Sequence, residues 1–245
     1  MNNQIHFISQ YLATAAKSFV AHRADDSHTN LGFDSETRSL ETWSLNNNGL
    51  KLIFNITEFE LKWSKGESFQ LAGKTHTQVV HWLQTSSKLA GLNKPYAFDL
   101  HYDLPFEWDA NFSFKLSDTK HLNELVELRI LANTALKAFL KMENLQSDIR
   151  IWPHHFDTGA FVVLEDGSGK SIGLGMAIPD TVVDDHYFYI SGYKGHDALD
   201  THSFPKLSSG EWKTQEFKGA VLMASNSTEQ QAVQFLQEAF HTYLK

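Results

Sequence analysis

The stretch Glu41-Thr42-Trp43-Ser44-Leu45-Asn46-Asn47-Asn48-Gly49-Leu50-Lys51-Leu52-Ile53-Phe54-Asn55 (residues 41–55) decides how the chain folds. Within an extended segment at 36–45, Leu40, Thr42 and Ser44 alternate with Glu41, Trp43 and Leu45, the period of two expected of a strand. The tract Asn46-Asn47-Asn48-Gly49 is a hairpin turn, because Asn and Gly tolerate the positive φ angles that tight turns demand. A second strand follows at 50–56. Two strands joined by so short a connection run antiparallel.

Around this hairpin the pattern extends in both directions. Segments 28–34, 57–63 and 67–71 are also strand-like, with Phe59, Leu61 and Trp63 on one face. Upstream, residues 3–22 carry Ile5, Ile8, Leu12, Ala15 and Phe19 at the spacing of an amphipathic helix. The polar stretch Arg23-Ala24-Asp25-Asp26-Ser27 joins that helix to the strands. Downstream, a helix runs from Thr75 to Ala90 and stops at Gly91. A bridge at 92–117 contains Tyr96, Phe98, Leu100 and Tyr102, and then the pattern restarts. A long helix covers 118–144, and strands follow at 149–153, 158–164, 171–178 and 186–193. A polar loop covers 194–210, a further strand 219–224, and Ser227 with Gln230 reads as the capping box of a last helix.

Helix, strands, helix therefore occurs twice. Two local echoes accompany the order: 78–84 (QVVHWLQ) against 231–237 (QAVQFLQ), and His28-Thr29-Asn30-Leu31-Gly32 against His155-Phe156-Asp157-Thr158-Gly159. The expected fold class is α+β, with two similar α–antiparallel β meander–α halves packed together through an internal duplication. The halves are residues 1–117, including the bridge, and residues 118–245.

Composition removes several function classes. With no cysteine there is no disulfide framework, thiol nucleophile or thiolate metal site, and the cytoplasm is the expected compartment. No apolar run approaches the roughly 20 residues that span a bilayer, so no membrane association is expected. A net charge of −8 without a local Lys/Arg cluster repels phosphate backbones, so no nucleic acid is expected as partner. Gly167-Ser168-Gly169-Lys170-Ser171 fails as a phosphate-binding loop, since Leu164 stands where the motif needs Gly and a β-like run follows instead of a helix.

The thirteen histidines carry the chemistry that is left. In Ile151-Trp152-Pro153-His154-His155-Phe156-Asp157, an extended backbone projects His155 and Asp157 to one side and His154 to the other. An imidazole and a carboxylate two apart can ligate one metal ion, or act as a base and its orienting acid. His28 and Asn30 offer the same geometry from the other half. The competing reading is that these side chains bond backbone groups at strand starts. Asp184 and His186, within Asp184-Asp185-His186, are either further polar binding groups or a solvated turn that opens a strand.

The core Trp152, Pro153, His155, Phe156 and Asp157 resembles a Trp-Pro-x-His-Phe-Asp segment of an uncharacterised bacterial domain-of-unknown-function family. The likeness is strongest over 149–164, with agreement in element order before it. It implies that the segment is a family hallmark and carries no activity, substrate or catalytic residue with it.

Two functions are consistent with these readings. The first is a small-molecule-binding protein, acting as a metal-assisted or His/Asp acid-base hydrolase, with a polar site between the halves. Its catalytic or metal-binding residues would be His155, Asp157 and His28, assisted by Asn30, His154, Asp184 and His186, with a divalent metal as cofactor. The second is a non-catalytic interaction or scaffold protein whose duplicated sheets serve partner binding or dimerisation.

Overall fold

Helix α1 (Asn2–Phe19) is buried on every side: all residues from Ile5 to Ala16 are inaccessible to solvent. The computed structural model, which describes residues 2–109 and 111–245, divides the chain into two compact units. The first is Met1–Glu127 together with Ile151–His155, and the second is Leu128–Arg150 together with Phe156–Lys245. The chain is mixed α+β with antiparallel strands throughout.

In the first unit, strands β1 (Leu31–Asp34), β2 (Ser39–Thr42), β3 (Leu52–Asn55), β4 (Glu60–Trp63) and β5 (Ser68–Gln70) form a meander. β1 also pairs with β6 (Arg150–Trp152) through Leu31 and Ile151. The register places Leu40 opposite Phe54, Phe54 opposite Leu61, and Leu52 opposite Trp63, so their side chains share one fully buried face. α1 packs on β2 and β3. Helix α2 (His76–Leu89) is tied to the sheet by Trp63, whose indole N–H donates to Ser86 Oγ at 2.9 Å.

The other flank of α1 meets the segment 96–114, where Phe7 and Tyr11 pack against Phe98 and Phe114. The sequence periodicity suggests a one-sided helix, and the structure corrects this. The helix is enclosed because its polar residues find partners inside. Ser9 Oγ donates to the His6 carbonyl, Thr14 bonds Tyr96 Oη at 2.8 Å, and His6 and Gln10 reach the Pro153 carbonyl. Buried polar groups are tolerated only when paired in this way.

The second unit is built on β7 (Asp157–Val163), β8 (Lys170–Ala177), β9 (Tyr187–Lys194), β10 (Asp197–Ala198), β11 (Glu211–Thr214) and β12 (Lys218–Met223). Its strand order is β7-β8-β9-β12-β11, with β10 folded back on β9. This departs from the expected meander: β12 inserts between β9 and β11, and β11 itself falls just after the polar loop. Ala160, Val162, Ile172, Leu174, Phe188 and Ile190 present one apolar face to the C-terminal part of α3 (Thr119–Met142) and to α4 (Glu229–Tyr243).

Among its described residues the bridge 92–117 contains no strand, only a single-residue pairing of Ser113 with Thr75. The last helix is capped one residue later than the sequence suggests, with Thr228 accepting from the Gln231 N–H and Gln231 Oε1 accepting from the Thr228 N–H. Gly167 and Gly169 form the β7–β8 hairpin with positive φ, and Lys170 donates to the Tyr243 carbonyl at 2.7 Å, so this run builds a turn. Among the described residues no helix is long and apolar enough to cross a membrane.

The fit between β9 and α4 is close enough to test. Gly192 lies under the Tyr243 ring, where an added Cβ would meet Cδ1 at 2.5 Å. Gly192→Ala is expected to destabilise the protein by about 1–3 kcal/mol, the range for overpacking a filled core. Urea unfolding of the two proteins would measure this, and an unchanged midpoint would contradict the packing described.

Candidate metal centre

Asp26 sits at φ +53, in the left-handed region that Asp tolerates better than most residues. The reversal is held on both sides. The Asp26 N–H donates to the Arg23 carbonyl at 3.0 Å, and the Thr29 N–H and hydroxyl donate to the Asp26 carbonyl. Asp25 Oδ1 accepts the Ser27 N–H at 3.1 Å, and Ser27–Thr29 form one 3-10 turn. The chain leaving α1 thereby doubles back and brings His22 and His28 to the same carboxylate.

One ligand atom each from His22, Asp26 and His28 lies within 4.8 Å of the others. His22 Nδ1 is 3.7 Å from Asp26 Oδ1, and the two imidazole rings stand edge to face with centroids 5.1 Å apart. His28 is buried and its Nδ1 accepts the Arg23 N–H at 3.3 Å, whereas His22 and Asp26 face solvent. Burial, and then the neighbouring His22, lowers the His28 pKa below the usual histidine value.

The second oxygen of the same carboxylate faces elsewhere: Asp26 Oδ2 is 3.3 Å from His101 Nε2. His101 stands against Tyr102 at 4.8 Å between centroids, Tyr102 against His154 at 5.6 Å, and His154 against His155 at 4.2 Å. His154 senses the charges of His155, His101 and Asp26, and burial with the two imidazoles pulls its pKa down to about 4. Three imidazoles, those of His22, His28 and His101, thus stand at one carboxylate, His154 and His155 join the group through Tyr102, and every member belongs to the first unit.

The residues singled out in sequence divide between this group and other places. His28, His154 and His155 belong to it. The extended geometry that paired His155 with Asp157 is corrected: Pro153–Phe156 form a turn with Phe156 at φ +60, so alternation is broken between them. The turn is fastened by α1, because His6 Nε2 and Gln10 Nε2 lie 2.7 and 2.8 Å from the Pro153 carbonyl. Gln10 Oε1 also accepts the Tyr102 hydroxyl at 2.6 Å, which fixes the ring beside His154.

Asp157 instead opens β7 in the second unit and accepts the Tyr189 hydroxyl at 2.5 Å. Buried Arg129 lies beside it, donating to Thr158 Oγ1 and the Phe156 carbonyl and stacking on the Phe156 ring at 4.0 Å. Burial lowers the Arg129 pKa to about 10, while the Asp157 charge opposes that shift. This network holds the start of β7. Asn30 is buried where the 3-10 turn ends, with its N–H on the Ser27 carbonyl. Asp184 is exposed, and Asp185 accepts the His186 N–H and the Ser225 hydroxyl, the solvated strand-opening turn.

Sequence reasoning missed His22 and Asp26 and read His101, in His101-Tyr102-Asp103, only as a residue that lines a groove or caps a strand. The spacing His-x3-Asp-x-His at 22–28 was the available signal, but the stretch reads as a connector until the αL reversal is known.

The depressed His154 pKa has a consequence for the metal-free protein. The unfolded chain takes up a proton near pH 6.5 while the folded chain resists until about pH 4, so stability is full above that window and declines as pH falls through it. Denaturant midpoints measured between pH 7 and 4 should fall less steeply for His154→Gln than for the wild type. Parallel curves would show that His154 does not couple folding to protons.

Compared with protein-family models, with curated proteins and with solved structures, the chain matches none.

Proposed function

We propose that the first unit binds a divalent transition-metal ion at His22, Asp26 and His28 and offers it to a small molecule arriving from solvent. The observation that carries this reading is the convergence of two imidazoles and a carboxylate within 4.8 Å. Metal–nitrogen bonds of about 2.1 Å need only small rotamer changes from that spacing. Binding through His28 Nδ1 would exchange a long 3.3 Å hydrogen bond for a coordinate bond. Imidazole and carboxylate donors without thiolate suit Zn²⁺, Ni²⁺, Co²⁺ or Mn²⁺.

Three protein ligands on a solvent-facing loop leave coordination positions for water and substrate, the arrangement of a catalytic site and not of a closed structural one. A metal in such a site supplies a hydroxide-like nucleophile near neutral pH. Metal-assisted hydrolysis is therefore the reaction class we assign, with His154 and His155 beside the centre as groups that bind or orient the substrate. The cytoplasm is the proposed compartment, on the zero cysteine count.

An interaction or scaffold role is the second reading. Its support is Phe161 and Val163 on β7, 50% and 66% exposed, apolar side chains that a partner would cover. A duplicated ancestry is supported by α2 and α4, whose Thr75/Gln78 and Thr228/Gln231 make the same capping box at the start of the echoed sequences.

Titration with ZnCl₂ in a calorimeter separates the two functions. The wild type is expected to bind at micromolar or lower concentration, and His22→Ala and Asp26→Asn are expected to lose more than the about tenfold that removing even a hydrogen-bond partner of a ligand costs. Both positions are solvent-facing, and Asn retains the positive φ that Asp26 needs. Equal affinity in all three proteins would remove the metal centre and leave the interaction role.

A further inference from the structure

We infer that His101 is a positioning residue for the metal: its ring holds one oxygen of the Asp26 carboxylate, so that the other is presented to the ion between His22 and His28. The inference rests on the metal centre proposed above and adds to it a residue that lies outside the three ligands.

The two oxygens of Asp26 face different groups. Oδ1 lies 3.7 Å from His22 Nδ1, and Oδ2 lies 3.3 Å from His101 Nε2. His101 is not itself a ligand, because among the described residues only His22, Asp26 and His28 bring donor atoms within 4.8 Å of one another. With its proton on Nε2, the ring is a donor toward Oδ2. A carboxylate that nothing restrains can give an ion one oxygen or both. A donor on Oδ2 removes that choice. Ligating carboxylates are held in this way by outer partners, whose loss costs about 10–100-fold in metal affinity.

To aim a ligand, His101 must itself be fixed, yet the segment 96–102 that carries it is neither helix nor strand. It is instead fastened to α1 at four points. Tyr96 Oη bonds Thr14 Oγ1 at 2.8 Å, and the Ala97 N–H donates to Ser18 Oγ at 3.1 Å. Lys17 Nζ donates to Asp99 Oδ2 at 2.7 Å, and the Tyr102 hydroxyl donates to Gln10 Oε1 at 2.6 Å. The Tyr102 ring then backs the His101 imidazole edge to face, with centroids 4.8 Å apart. His22 follows the last turn of the same helix. Ligand and positioning residue are therefore both referred to α1, although they are far apart in sequence.

The arrangement also bears on the chemistry. A carboxylate held through Oδ2 gives the metal a single oxygen, which keeps coordination positions open for water and substrate.

Zinc titration of the metal-free protein by calorimetry tests the role. His101→Phe keeps a ring against Tyr102 and removes the donor, whereas His101→Gln keeps a side-chain N–H. The wild type is expected to bind, His101→Phe to lose about 10–100-fold in affinity, and His101→Gln to stay close to the wild type. In an Asp26→Asn background, where the carboxylate is gone, His101→Phe should cost nothing further. No zinc binding by the wild type overturns the metal centre and the role of His101 with it. Binding that His101→Phe leaves unchanged overturns the positioning role alone and leaves the centre standing. The same holds for equal losses in His101→Phe and His101→Gln, or for a full loss on adding His101→Phe to Asp26→Asn, since His101 would then act through packing and not through the carboxylate.

Discussion

A helix enclosed on all sides must satisfy every polar group it carries, and in the first unit that requirement organises what surrounds it. α1 buries His6, Ser9, Gln10 and Thr14 along with its apolar residues. Leaving one such donor or acceptor unpaired costs about 1–3 kcal/mol, so the groups that answer them are held in place. Pro153 supplies a carbonyl to two of them, Tyr102 a hydroxyl and Tyr96 another. These partners lie far from α1 in sequence, and two of them carry the histidines at 101 and 154 beside them. The polar content of a helix that reads as amphipathic thereby becomes a device for positioning a distant turn and loop.

The second determinant is local. A residue in the αL region without glycine's freedom is strained unless its neighbours fix it. Asp26 is held by three hydrogen bonds around its own backbone, and the resulting reversal folds the end of the α1 connector onto the start of the 3-10 turn. Its carboxylate then stands beside His22, His28 and His101, and its charge reaches His154. Local strain and long-range anchoring therefore act on the same cluster.

The second unit uses similar chemistry to a structural end. Arg129 and Asp157 are both buried, and the guanidinium is occupied by Thr158, the Phe156 carbonyl and the Phe156 ring. Tyr189 closes the carboxylate side, and burial raises its hydroxyl pKa well above the usual phenol value. Such a network gives the first residue of β7 a unique orientation. The aspartate that looks like a catalytic partner of His155 in sequence is committed to that task.

The sequence alone determined the four helices and every strand but β10 and β11, together with the antiparallel hairpin over residues 41–55. Alternation at Leu40/Thr42, the Asn-rich turn before Leu50, and helical spacing at Ile5, Ile8 and Leu12 are local signals, and local periodicity is what strands and helices express. It also drew attention to His28, His154 and His155. Only the tertiary structure decided which groups those imidazoles meet. The turn at Pro153–Phe156 depends on partners some 145 residues away in α1, the insertion of β12 between β9 and β11 depends on chain crossing, and the αL bend at Asp26 depends on hydrogen bonds that no spacing rule records. Convergence of side chains from residues 22–28, 101 and 154 is a property of long-range packing, and periodicity along the chain carries no information about it.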